Sequence, residues 1–79
     1  MVIMQYVQSS HLAKVGYDQN SGILIIEFKD GSVYEYYNVP ASTYNFLLNA
    51  SSKGKYFDAE VRLKFRYKKI DWDINYLIF

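Results

Sequence analysis

The chain has 79 residues with nine Lys and Arg against eight Asp and Glu, a net charge of +1. It also has one His, no Cys, and an aromatic set of nine Tyr, five Phe and one Trp. One small domain is therefore expected, too short to bury more than about 60% of its unfolded surface and without a disulfide to help. The aromatics must supply much of its core, since each can bury roughly 150–250 Å². No stretch reaches the ~18 consecutive apolar residues of a membrane span, and MVIMQYVQSS lacks a basic n-region. A cytoplasmic protein with no membrane partner is expected.

In chain order, IMQYVQ (3–8) alternates weakly and LAKVGYD (12–18) alternates well, so both predict strands. GILIIEFKDGSVYEYYNV then places β-branched and aromatic residues on both sides of Asp30-Gly31, the signature of a hairpin over 23–38. A two-residue loop would set Glu35 among apolar residues. A three-residue loop with Gly31 left-handed shifts the pairing by one and puts Leu24, Ile26 and Phe28 on a face with Tyr34 and Tyr36. That register predicts Tyr34 and Tyr36 as mostly core and Tyr37 as the exposed ring; the alternative for the pair is a base-stacking platform, which needs the tyrosine face left uncovered. Pro40 suits the first turn of a helix, and Tyr44, Leu47 and Leu48 supply its apolar stripe over 40–49. NASSKG interrupts it, and Ser52 is placed to cap a second helix over 53–66, where Phe57, Val61 and Phe65 recur every four residues. Finally IDWDINYLIF alternates again and predicts an extra C-terminal strand. The predicted class is α+β: a small antiparallel sheet, centred on the hairpin, packed against two short helices. Leu24, Ile26, Phe28, Tyr34, Tyr36, Tyr44, Leu47, Phe57 and Val61 are its expected core.

Charge is uneven along this chain. Residues 1–52 carry two bases and four acids, residues 53–69 seven bases and two acids, and the last ten residues Asp71 and Asp73 alone. The basic segment interleaves cations with Tyr56 and Tyr67, the combination that phosphate binding and base stacking require. Lys53, Gly54, Lys55, Tyr56, Arg62 and Arg66 are the candidate ligand residues, with Gly54 allowing backbone amides to approach an anion; Tyr37 and Tyr67 are candidate stacking rings. The bland alternative is a solvated basic helix face.

Catalysis finds little support. His11 follows Ser9-Ser10, but neighbours on an extended chain point apart, and a surface or loop His is expected. Asp71 and Asp73 read as edge-protecting charges. No metal, cofactor or phosphate-loop motif is present, so no catalytic residue is predicted.

The succession Ser9-Ser10, Leu12, Val15-Gly16-Tyr17-Asp18, Phe28, Gly31, Tyr34-x-Tyr36, Val39-Pro40, Tyr44, Leu47, Ala50, Ser52-x-Gly54-x-Tyr56-Phe57 and Val61-Arg62 resembles the KTSC domain. That domain is found at the C-terminus of some lysyl-tRNA synthetases and as small stand-alone proteins of bacteria and phages. The resemblance spans about residues 6–67 of a single domain over 1–79, leaving 68–79 as a C-terminal extension without counterpart in the usual short domain. Asp58 departs from the pattern, standing where the family often has Asn. RNA binding is the function the resemblance implies. The expected function is thus non-catalytic binding of a phosphate-bearing ligand, RNA first. One alternative is a homo-oligomer sequestering a nucleotide signal, as in phage counter-defence; another is a protein-interaction module. The tail is expected to form the oligomer interface, most simply of a two-fold dimer, through Trp72, Ile74, Tyr76, Ile78 and Phe79.

Overall fold

A computed structural model of the chain describes residues 2–70. Among them, five strands form one antiparallel meander in the order β1 (Gln5–Tyr6), β2 (Leu12–Asp18), β3 (Ile23–Phe28), β4 (Val33–Tyr36) and β5 (Tyr67–Ile70). Helices α1 (Ala41–Asn49) and α2 (Lys53–Glu60) lie between β4 and β5 in the chain. The expected α+β class is observed.

The hairpin has the expected register, because turn chemistry and face polarity agree. Leu24 pairs with Tyr36 and Ile26 with Tyr34. Gly31 takes φ +92°, a conformation that costs a side-chain-bearing residue. Its N–H donates to Phe28 O at 2.9 Å, while Phe28 N–H donates to Ser32 O at 2.8 Å. Asp30 Oδ1 closes the loop by accepting from Ser32 N–H at 2.9 Å and Ser32 O–H at 2.6 Å. These two donors hold the carboxyl of Asp30 below its ordinary range.

Strand β2 contains a bulge between Leu12 and Lys14. The extra residue turns both Leu12 and Val15 to the helix-covered face, and both are fully buried. They join Leu24, Ile26, Tyr36, Val39, Leu47, Phe57 and Val61 in the core. Three residues expected there, Phe28, Tyr34 and Tyr44, are half-buried at its margin. Val39 enters through the left-handed Asn38, and Tyr17 O–H donates to its carbonyl.

Two helix boundaries differ from expectation. Pro40 is the residue just before α1, with extended ψ 149°, rather than part of its first turn. Helix α2, capped by Ser52 as expected, stops at Glu60 instead of continuing to 66. Val61 N–H and Arg62 N–H both donate to Phe57 O, and residues 61–65 form turns. The period of four carries Phe57 and Val61 into the core, but Leu63 is left 88% exposed. Leaving the helix frees Tyr67–Ile70 to pair with β4, satisfying backbone groups of an otherwise open edge. Residues 71–79, including Trp72, Ile74, Tyr76, Ile78 and Phe79, lie outside the described residues.

Candidate functional site

The helices leave a cleft of about 640 Å³ between the end of α2 and strands β3, β4 and β5. Its walls are aromatic: Phe28, Tyr34, Tyr36, Phe57 and Tyr67. Strand alternation brings Tyr34 and Tyr36 to one face, and pairing of Tyr36 with Tyr67 adds a third tyrosine. Ring centroids of Tyr67 lie 5.8 Å from Tyr34 and 5.7 Å from Tyr36. Phe57 meets Phe28 and Tyr36 edge-on at 5.6 and 5.4 Å, a favourable arrangement for ring quadrupoles. Tyr36 forms the floor. Its burial, with smaller contributions from Tyr34 and Tyr67, pushes its phenol up to about 12. Tyr67, by contrast, is 58% exposed at the rim.

The polar rim comes from three places: Asp30 and Ser32 of the hairpin loop, Asp58 and Arg62 at the end of α2, and His11 from the loop before β2. His11 stacks on Phe28 with ring planes 8° apart. Its Nε2 lies 3.8 Å from Asp58 Oδ1, which lies 3.9 Å from Arg62 Nη1. Both separations exceed hydrogen-bond reach. Ser10 Oγ sits 3.3 Å from His11 Nδ1, so these neighbours do not point apart. The chain is bent here because Ser9 Oγ accepts from His11 N–H and Leu12 N–H. The ring is held by Phe28 rather than by a carboxylate hydrogen bond, the orientation a catalytic histidine needs.

A smaller recess shares His11 and Asp58 with the cleft and lies between Gln8–His11 and the start of α2. Here Gly54 is required for a different reason from the one its motif suggested. A Cβ at this position would stand 2.5 Å from His11 Cε1 and 3.3 Å from Ser9 Oγ. The glycine admits a side chain of the same protein, and so joins the two serine-rich motifs in space.

The candidate ligand residues divide. Arg62 and Tyr67 line the cleft; Lys53, Gly54 and Lys55 line the recess, with Lys53 Nζ donating to Ala50 O at 3.2 Å. Tyr56 packs against the core. Tyr37 is half-buried rather than the exposed ring, because its hydroxyl donates to Glu35 Oε1 on the sheet face away from the cleft. Burial, then that bond, raises its phenol. Arg66 stands beside Tyr37, its carbonyl accepting from Tyr37 N–H. Lys68 also takes the far face, opposite Glu35, whereas Lys69, opposite Tyr34, takes the cleft face. The basic segment therefore does not converge. The cleft holds two carboxylates against one guanidinium. His11, Phe28, Asp30 and Asp58 were missed as site residues; the Gly54 motif was the available signal for His11, the departure from the family pattern was that for Asp58, and nothing local pointed to the other two. Among the described residues, no cluster of three His, Cys, Asp or Glu could hold a metal ion.

The KTSC domain profile matches residues 8–65. The chain belongs to the KTSC domain family. A stand-alone protein of Tsukamurella paurometabola is 40% identical over 63 residues, covering 80% of this KTSC chain and 94% of its own length. A lysine–tRNA ligase of Nostoc punctiforme is also 40% identical over 63 residues, but the KTSC chain spans only 11% of that enzyme. The crystal structure of a KTSC domain protein from Yersinia pestis superposes with a TM-score of 0.85 at 35% identity, covering 90% of this chain and all of that one. Among the described residues, no helix of this KTSC domain is long and apolar enough to cross a membrane.

Proposed function

We propose that this KTSC domain is a non-catalytic binding module for a phosphate-bearing ligand with a nucleobase, single-stranded RNA in the first place. The observation that carries this reading is the exposed ring of Tyr67 at the mouth of an aromatic cleft, with Arg62 at the same rim. A base can stack on the ring while guanidinium and lysine side chains outside meet the phosphates. Relatives that include lysine–tRNA ligases, enzymes named for a tRNA, favour RNA. A second reading, capture of a single free nucleotide, is favoured by the cleft's size of about 640 Å³, within the ~300–1,000 Å³ common for small-molecule sites.

Fluorescence anisotropy with labelled single-stranded RNA tests both readings. Tyr67→Ala should weaken binding, and Arg62→Ala should weaken it and flatten the salt slope by about one. Lys68→Ala, the same charge loss on the far face, should leave affinity nearly unchanged. Equal effects of Arg62→Ala and Lys68→Ala would remove the site from the cleft. Competition by a free mononucleotide as strong as by the oligomer would favour the second reading.

A further inference from the structure

We propose that the cleft selects guanine, its Watson–Crick edge donating two hydrogen bonds to the carboxylate of Asp58 while the base stacks on Tyr67. This rests on the base-binding reading above. The starting point is a feature that phosphate binding does not explain: two carboxylates, Asp30 and Asp58, line the cleft beside Arg62. An ionised carboxylate only accepts hydrogen bonds, so a ligand that fits here must bring N–H or O–H donors inward and keep its own anions outside.

The two carboxylates differ. Asp30 Oδ1 is already occupied by the N–H and O–H of Ser32. Asp58 accepts no hydrogen bond among the described residues, and its nearest partners, the His11 imidazole and the Arg62 guanidinium, stand 3.8 and 3.9 Å away. It projects from a helix rather than a loop, and its side chain is about half exposed. Both oxygens are thus available to a ligand, on a rigid support. Arg62, itself exposed, offsets the repulsion this carboxylate would exert on a nearby phosphate.

Base chemistry then discriminates. Guanine places the N1–H and exocyclic N2–H donors side by side, which matches the two oxygens of one carboxylate in a charge-assisted bidentate pair. Adenine and cytosine each set a donor beside an acceptor, and uracil sets one donor between two acceptors. Only guanine satisfies both oxygens without leaving an acceptor facing an anion.

The test is calorimetric titration of the full chain with GMP, IMP, AMP, CMP and UMP. GMP should bind about tenfold or more tighter than the other four, and IMP, which lacks the N2 amine, should lose most of that advantage. Asp58→Asn should abolish the preference for GMP, because a carboxamide offers one acceptor and one donor, a pair that adenine and cytosine complement as well. A merely structural Asp58 predicts uniform weakening and a shifted unfolding midpoint, which urea denaturation of the same variant reads. Equal affinity for all five nucleotides, still sensitive to Tyr67→Ala, would overturn the role of Asp58 and leave the base site standing. Binding of neither nucleotides nor RNA, or tighter binding of tetramethylammonium than of GMP, would overturn the base-binding reading itself.

Discussion

Replacing Gly54 by Ala should change the sign of its effect according to what occupies position 11. In the first turn of α2 the substitution gains helix propensity, at most about 1 kcal/mol relative to glycine. Against this, the new methyl would lie 2.5 Å from His11 Cε1 and 3.0 Å from His11 Nδ1. No Cβ contact is that short, so the imidazole must move off Phe28. Overpacking of this kind costs about 1–3 kcal/mol, the lower end applying here because the displaced group is the tip of a half-exposed side chain. The net expectation is a loss of about 0–2 kcal/mol with His11 present. In a His11→Ala background the clash with the ring is gone, and Ser9 Oγ, 3.3 Å from the new Cβ, must yield slightly. There Gly54→Ala should stabilise by about 0.5–1 kcal/mol. Urea unfolding of the four proteins, followed by circular dichroism, closes the cycle. Equal effects of Gly54→Ala in the two backgrounds, within about 0.5 kcal/mol, would refute the contact and with it the joining of the two motifs.

Three further outcomes are expected. Truncation of buried Tyr36 to Ala should cost about 3–5 kcal/mol, Tyr34→Ala less because its ring borders the cleft, and Tyr37→Ala least; equal losses in urea unfolding would contradict the hairpin register. The phenol of Tyr36 is raised from 10.0 to about 12 by burial, so the unfolded chain releases this proton first as pH rises. The associated stability is complete below pH 10 and is lost as pH climbs to about 12. Melting temperatures of the Tyr36→Phe variant should decline less over that window. Finally, removal of residues 71–79 should lower the mass measured by light scattering, and a full-length protein that is already monomeric at high concentration would refute assembly through the tail.

The hairpin was legible because its determinants are local. Asp30-Gly31 specifies the turn, and the period of two allows only one register in which Glu35 leaves the apolar face. Strand β2 was legible in extent, and Ser52 as a cap, for the same reason: each depends on neighbours a few residues away. Where the chain's own periodicity competed with a distant partner, the partner prevailed. The four-residue repeat of Phe57, Val61 and Phe65 is a helical signal, yet the unpaired edge of β4 draws Tyr67–Ile70 into the sheet and ends α2 early. The same event divides the basic segment between two faces, so a run of charge in sequence is not a patch in space. The cleft depends almost wholly on such distant contacts. Gly54 in its motif signals that something approaches closely, but only the packed structure shows that it is His11, 43 positions earlier. Local chemistry sets turns, caps and strand faces; which groups meet across the core depends on pairings between segments far apart in the chain, which no short stretch of sequence encodes alone.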